Sequence, residues 1–281
     1  MKKLSVIITV FNRSHLLRKA LLSLKNQSYL PYELIISDDG SEENVEENIA
    51  DIIGGMEFNV RYVKQENRGF RLARCRNNGV RNTNGDLLIF IDQDIICTEN
   101  LLRTCSQNQN TKRFITSHRI NLTEMQSELF TEDIIAGNRF MQLIEKDQLA
   151  NLIKDYRKDK FYYYLHKISS VRKPKLKGQT HAINREDFEL VNGYDENYVG
   201  WGNEDDDMGR RLYTAGIHGY NPFKSDFPIH QYHEPFHQNQ ERINLQYDAV
   251  RDAEVKKGDF RCKVGLDNED KSDILEIKDL N

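Results

Sequence analysis

Asp86–Ile96 reads DLLIFIDQDII, and the fold turns on how that stretch is read. Leu87, Leu88, Ile89, Phe90 and Ile91 follow one another without apolar–polar alternation, the pattern of a strand buried on both faces. The run stops at two carboxylates, Asp92 and Asp94. In an open α/β sheet ligands bind beyond the carboxyl ends of the strands, which puts this pair in the mouth of a crevice. Hard oxygen ligands there suit Mg²⁺ or Mn²⁺, which take one or two carboxylates together with substrate phosphates. A strand ending in a solvated Asp-rich turn accounts for the same residues without a metal, and D-x-D alone does not choose between them.

Upstream, strand and helix patterns alternate. Leu4–Val10 (LSVIITV) is β-branched and leads through Phe11-Asn12-Arg13 to Ser14, in position to cap a helix. Leu16, Leu17, Ala20, Leu21 and Leu24 fall at helical spacing, predicting a helix to about Lys25. A second strand over Glu33–Ser37 ends in the turn Asp38-Asp39-Gly40-Ser41. A helix over Glu42–Ile53, a strand over Val60–Lys64 and a helix over Leu72–Arg81 then lead through Asn84-Gly85 into the central strand. This order predicts an α/β fold with a doubly wound, mainly parallel sheet and helices on both faces. No G-x-G-x-x-G follows the first strand, so a dinucleotide-type phosphate loop is absent. Asp39, the arginines Arg71, Arg74 and Arg76, and the Asp92/Asp94 pair stand at strand ends. A carboxylate accepts from a base N–H or a ribose hydroxyl and arginine forks onto phosphate, so the set favours a nucleotide with a metal-bridged diphosphate over plain turn formers.

With 281 residues the chain can form one large domain or two closely packed lobes. Its net charge of −4 argues against whole-molecule nucleic-acid binding, though not against a local basic patch. No apolar run approaches the roughly 18 residues of a membrane span, and Met1-Lys2-Lys3 passes straight into a segment too short and β-branched for a signal peptide. Cys75, Cys97, Cys105 and Cys262 lack C-x-x-C spacing, so thiols are expected rather than a zinc site. The expected setting is cytoplasmic.

Asn100–Gln109 reads as a helix, Phe114–His118 as a strand and much of 119–155 as helical. Between Lys154 and Lys177 nine basic residues, Lys154, Arg157, Lys158, Lys160, Lys167, Arg172, Lys173, Lys175 and Lys177, face only Asp155 and Asp159, with Phe161-Tyr162-Tyr163-Tyr164 among them. Such a stretch suits an anionic lipid surface at the inner face of the membrane, as a peripheral contact, or a pyrophosphate-linked acceptor. A solvated flap with its aromatics packed inward is the alternative.

The segment Lys177–Leu212, KGQTHAINREDFELVNGYDENYVGWGNEDDDMGRRL, is the most distinctive. Gly200 and Gly202 flank Trp201, the only tryptophan, and Glu204-Asp205-Asp206-Asp207 follow at the start of a helical pattern. A helix N-terminus stabilises anions by roughly 0.3–1 kcal/mol each, which explains some acids but not four beside Gly-Trp-Gly. A carboxylate so placed can act as a general base on a sugar hydroxyl. Downstream, His230 and His233 lie three apart in PIHQYHEP. Asn239–Lys256 reads as an amphipathic helix and 257–281 as a loosely held polar tail.

Taken in order, SVIITVFNR, IISDDGS, ENRGFRLARCRNNG and FIDQD resemble the nucleotide half of inverting family-2 glycosyltransferases of GT-A fold, over residues 4 to about 96. The resemblance implies that Thr9, Phe11 and Asp39 hold uridine, with Arg13 and Arg71 also on the donor side. It makes Asp92 a ribose or metal contact and Asp94 a direct metal ligand. The W-G-x-E-D-D segment resembles the carboxyl half of β-1,4-galactosyltransferases and bacterial chondroitin-type polymerases. That second resemblance implies Asp205 as base, Glu204 as a ligand of the acceptor hydroxyl, Trp201 as acceptor platform, and Gly178 and Gln179 beside the donor sugar. It also implies that His233 completes the metal shell. His230 stands where the animal galactosyltransferases have a methionine ligand, which leaves its role open.

The expectation is a metal-dependent inverting hexosyltransferase using Mn²⁺ or Mg²⁺ and a UDP-sugar, galactose-type favoured, with a saccharide or lipid-linked oligosaccharide as acceptor. Residues 1–238 would form one GT-A domain, 1–100 holding the nucleotide and 101–238 the acceptor, with a C-terminal helix and tail over 239–281. A sugar nucleotidyltransferase lacks the glycine- and lysine-rich loop it usually needs near the first strand. A catalytically silent sugar- or Ca²⁺-binding protein would use Glu204–Asp207, yet no EF-hand loop is present. The oligomeric state is open.

Overall fold

The central run is buried on both faces, as its lack of alternation requires. In the computed structural model, which describes residues 2–166, 173–234, 243–267 and 273–281, Leu87, Ile89 and Ile91 enter one hydrophobic core, and Leu88 and Phe90 enter a second. The strands are β1 (Leu4–Val10), β2 (Glu33–Asp38), β3 (Asn59–Gln65), β4 (Leu87–Asp92), β5 (Ile95–Ile96), β6 (Arg113–Thr116), β7 (Ile120–Asn121), β8 (Thr180–Asn184), β9 (His218–Tyr220), β10 (Ile229–His230) and β11 (Leu275–Asp279). The helices are α1 (Ser14–Lys25), α2 (Val45–Ile53), α3 (Leu72–Arg81), α4 (Leu101–Asn108), α5 (Glu124–Leu129), α6 (Glu132–Ala136), α7 (Lys146–His166), α8 (Arg185–Leu190), α9 (Glu204–Thr214) and α10 (Leu245–Lys256).

The main sheet has the order β11-β3-β2-β1-β4-β8-β6-β9. β3, β2, β1 and β4 are parallel, β8 runs antiparallel to β4 and β6, and β9 is parallel to β6. Apolar residues of α1, α2 and α4 cover one face, and those of α3, α8 and α9 cover the other. The fold is therefore α/β and mainly parallel, of the GT-A type. Gly79 lets α3 lie close on β1, because a Cβ there would sit 2.5 Å from Ile7 Cγ2. The chain leaves β1 toward β2 and β3, then returns to β4 on the other side of β1. That reversal makes a switch point whose crevice opens at the carboxyl ends of β1 and β4, where Thr9 pairs in register with Asp92.

Several expectations need correction. Ser14 does not cap α1 but is its first residue, after Asn12 and Arg13, both left-handed at φ 51° and 56°. The cap comes from Glu43, which accepts from the Arg13 and Ser14 N–H groups, each at 2.9 Å. Residues 119–155 are largely helical as expected, divided among α5, α6, a 3₁₀ turn and the start of α7, with β7 at their beginning. The basic stretch is not a flap up to His166, since α7 carries it, with Tyr156 and Tyr163 buried and Phe161 and Tyr164 exposed. Lys167, Arg172 and the boundary at 238–239 lie outside the described residues. No helix among the described residues is long and apolar enough to cross a membrane. All four cysteines are buried and unbridged.

The expected loose tail is the largest departure. β11 extends the sheet antiparallel to β3, and before it the Asp273 carboxylate is fully shielded among three arginines. Arg71 Nη1 lies at 2.7 Å, Arg74 Nε at 2.9 Å and Arg68 Nε at 3.3 Å. Removing one partner of a buried ion cluster leaves charge uncompensated, at a cost of about 3–5 kcal/mol. Asp273→Asn is therefore expected to lower the unfolding free energy by that order in urea titrations, with an unchanged m-value. A loss under ~0.5 kcal/mol, the range of ordinary surface substitutions, would show that the cluster does not hold the segment.

Candidate active site

At the switch point a cavity of about 140 Å³ is lined by Thr9, Phe11, Asp39, Phe70, Leu72, Asp92 and Asp94, among others. β1, β2 and β4 each deliver a strand-end residue to it, which is why these sequence-distant side chains meet. Asp39 is buried with both oxygens engaged: Gln65 Nε2 donates to Oδ1, and the Arg71 N–H donates to Oδ2 at 2.8 Å. Burial pushes its carboxyl up to about 6, against the lowering pull of those donors. The Arg71 guanidinium turns away to Asp273 and to the Glu66 carbonyl, so it enters this site through its backbone.

A second cluster stands at the cavity's mouth. The small sheet pairs β10 with β5 so that His230 faces Ile95, and the Gln231 N–H donates to the Asp94 carbonyl at 2.9 Å. His233 Nε2 then lies 2.8 Å and His230 Nε2 3.3 Å from the same oxygen, Asp94 Oδ2. Burial works to raise the Asp94 carboxyl, but the two imidazoles outweigh it and hold it well below the usual range. Asp94 raises His233 in turn. Asp94 Oδ1 is buried with no hydrogen-bond partner. Asp94, His230 and His233 form the group of at least three metal-type ligands found among the described residues, their ligand atoms within 4.8 Å of one another. Two imidazole nitrogens converging on one carboxylate beside an unsatisfied oxygen fit a divalent cation. Arg13 Nη1 sits 2.9 Å from His233 Nδ1, behind this cluster rather than in the cavity.

The third component is α9, whose acids the helix splits. Asp207 points into the core and accepts from Arg211 Nε at 2.6 Å, while Asp206 is exposed near Lys175. Glu204 and Asp205 turn toward Arg76 of α3, a fully buried arginine. Arg76 Nη1 lies 2.8 Å from Asp205 Oδ1 and 3.9 Å from Glu204 Oε1, and its Nη2 lies 3.2 Å from Asp92 Oδ1. Among the described residues no metal-type ligand set gathers at Glu204–Asp207 for a calcium ion. Burial and then the Asp205 charge raise the Glu204 carboxyl, and its Oε2 is buried without a hydrogen-bond partner. Burial likewise raises Asp92 against the pull of Arg76. Gly178 is a glycine of necessity, because a Cβ there would come within 1.8 Å of Asp205 Oδ2. Its carbonyl accepts from Arg76 Nη2 at 3.2 Å, and the Gln179 carbonyl accepts from the Asp92 N–H at 3.1 Å. Trp201 occupies the half-buried loop before α9, where the Gly200 N–H donates to the Phe70 carbonyl and ties this loop to the donor cavity.

Three site residues have places that sequence reasoning missed. Arg76, expected with Arg71 and Arg74 at a strand end to meet phosphate, lies within α3 and is bound by carboxylates instead. Tyr194 is the second, its hydroxyl 2.9 Å from His181 Nε2 and 3.2 Å from Asp205 Oδ1. His181 Nδ1 faces the carbonyls of Lys177 and Gly178, which only accept, so Nδ1 carries the proton and Nε2 is free to accept from Tyr194. Burial, then Arg76, push that imidazole down to about 3, so it is neutral. The third is Arg119, half-buried, whose charge feels Asp94 and Asp92. An arginine following a strand end was the one available signal for it.

The fold is of the GT-A type, shared with solved glycosyltransferase structures. Residues 5–120 match the family model described as Glycosyl transferase family 2, and residues 166–238 match that described as the N-terminal domain of galactosyltransferase. The chain thus carries a segment similar to the family 2 glycosyltransferases followed by one similar to the galactosyltransferases. It is 26% identical over 223 residues to validoxylamine A glucosyltransferase of Streptomyces hygroscopicus subsp. limoneus, across 76% of this chain and 48% of that protein. It is 25% identical over 230 residues to chondroitin synthase of Escherichia coli, across 76% of this chain and 33% of that one. The chain thus spans half or less of the length of these relatives. The structure of GalNAc-T7 with UDP, GalNAc and Mn²⁺ shares the fold with a TM-score of 0.61 and 16% identity, covering 91% of this chain and 50% of that one.

The Asp39 shift yields a pH test. A carboxyl raised from 3.8 to about 6 contributes stability that is fully present below 3.8 and lost as pH rises through 6. The full loss is about 3 kcal/mol, at 1.36 kcal/mol per unit. Asp39→Asn, which cannot ionise, should therefore gain melting temperature relative to wild type between pH 4 and 7. A difference that stays flat across that window would contradict the buried-carboxyl account.

Proposed function

We propose that this chain moves a hexose or N-acetylhexosamine, galactose-type favoured, from a UDP-sugar to a hydroxyl of a saccharide or lipid-linked oligosaccharide in polysaccharide synthesis, with inversion at the anomeric carbon. The observation carrying this reading is the convergence of Asp94, His230 and His233 at the mouth of the Asp39 cavity, next to the Arg76-linked pair Glu204 and Asp205. The names of the relatives support it, as do the UDP and Mn²⁺ bound by a neighbour of the same fold. In this reading residues 1–238 are the catalytic unit, 1–100 for the donor and 101–238 for the acceptor, with a C-terminal helix and tail after it whose β11 extends the sheet.

Asp94, His230 and His233 would hold the cation, with Asp92 alongside. Imidazole nitrogen in the set favours Mn²⁺ over Mg²⁺, whose usual ligands are oxygen. Bound there, the cation would act as a Lewis acid on the leaving diphosphate. Ionised Asp39 accepts from the uracil N–H, Thr9 and Phe11 flank the uridine, and Gly178 and Gln179 border the donor sugar. Glu204, kept neutral by burial and by Asp205, hydrogen-bonds the acceptor sugar through its unsatisfied Oε2. Asp205 takes the proton of the attacking hydroxyl on the face opposite UDP, while Arg76 holds its Oδ1 and leaves Oδ2 toward the acceptor. Trp201 offers its ring face to that sugar.

UDP release should appear with at least one UDP-sugar when Mn²⁺ and a saccharide panel are supplied, and it should vanish in excess EDTA and in Asp94→Ala. Full turnover in EDTA would remove the metal from this reading. Asp205→Asn keeps the shape but cannot take a proton, and a positioned base contributes about 10²–10⁴-fold. Its kcat is expected to fall at least ~10²-fold with UDP affinity, read by calorimetry, within about 2-fold of wild type. Near-normal turnover would transfer the base assignment to Glu204.

A further inference from the structure

Beside Asp205, and not used by the chemistry above, lies a concave basic surface. A cavity of about 240 Å³ containing Asp205 shares Lys173 and Lys175 with a larger one of about 420 Å³, which Lys158, Lys177, His118 and Asp159 also line. The single carboxylate there is already engaged: Asp159 Oδ2 lies 2.9 Å from His118 Nε2 and accepts from Asn221 Nδ2 at 3.0 Å. Lys173 Nζ sits 4.0 Å over the Tyr213 ring, and Lys175 meets only the exposed Asp206 at 3.4 Å. Among the described residues no carboxylate lies within ion-pair distance of Lys158 or Lys177. Four lysines thus line one hollow in a chain of net charge −4. Like charges so gathered repel one another, and an oxyanion between them removes that cost. Lys177 adjoins Gly178, whose carbonyl holds Arg76, so the hollow begins one residue from the floor beneath Asp205.

We propose that this hollow is a subsite for an oxyanion carried by the acceptor, the carboxylate of a uronate or a phosphate, which makes the acceptor an acidic saccharide. The inference rests on the glycosyltransferase reading for the direction in which the acceptor lies. Its concave shape suits a discrete group on a sugar chain more than a flat lipid surface. Lysine ammonium serves such a group as a point charge, and its attraction is screened over ~8–10 Å at physiological salt.

The test is a calorimetric titration of the protein, with UDP and Mn²⁺ present, by cellobiose, cellobiouronic acid and cellobiose 1-phosphate. At least one charged disaccharide should bind ~10-fold or more tightly than cellobiose, as a hydrogen bond to a charged group is worth more than that ratio requires. The preference should shrink as salt rises. Lys158→Gln/Lys177→Gln should abolish it without changing UDP or cellobiose affinity, and the double Arg variant should restore it. Which charged ligand binds tells carboxylate from phosphate. Equal binding, no binding, or an undiminished preference in the Gln variant overturns the proposal, and so does lysine-dependent capture by anionic vesicles without saccharide discrimination. UDP release, followed in the same samples, judges the glycosyltransferase reading separately: it can fail on every UDP-sugar while the titration still decides the subsite.

Discussion

A single buried guanidinium ties the two halves of this site together. Arg76 comes from α3, on the face of the sheet opposite α1 and α2, and reaches Asp92 at the end of β4 and Asp205 and Glu204 at the start of α9. Burial works against its charge, yet Asp205, Tyr194, Asp92 and Glu204 hold its pKa well above the ordinary guanidinium value. The converse matters more. Three carboxylates facing one another without a cation would have to neutralise or separate, and separating them would pull α9 from the sheet. The position of α9 relative to the Asp39 cavity depends on this ion cluster as much as on the packing of Met208 and Leu212.

The same cluster differentiates two adjacent carboxylates. Asp205 has the short contact to Arg76 and partial exposure, whereas Glu204 is buried, more distant from the cation and raised. Adjacent acids in surroundings this unlike differ in how readily they hold a proton, which is what the proposed division of roles between them requires. Helical geometry does the sorting: successive residues point about 100° apart, so four acids in a row are sent to the acceptor side, to solvent and to the core.

Much of the frame was legible because it rests on local pattern. β1, α1, α3 and β4 were readable to within a residue, since strands buried on both faces show an unbroken apolar run and helices show their 3.6 period. The strand-end acids and the two late histidines were legible as polar residues placed where crevices form. What escaped depends on contacts distant in sequence. The cap of α1 comes from Glu43, and nothing around Ser14 announces it. Arg76 was noticed as a cation suited to phosphate, but its carboxylate partner Asp205 is 129 residues away and its burial is not legible locally. The C-terminal segment reads as polar because β11 is an edge strand with little buried surface, held by pairing with β3 and by Asp273.

That last contact links the periphery to the chemistry. Asp273 holds the guanidinium of Arg71, which frees the Arg71 backbone N–H to face Asp39, while the neighbouring Phe70 carbonyl receives the Gly200 N–H. Three consecutive interactions thus run from the sheet edge through the donor loop to the loop bearing Trp201. The contact of Asp273 with Arg71 therefore helps fix where the loop of residues 66–71 stands, between the Asp39 carboxylate on one side and the loop before α9 on the other.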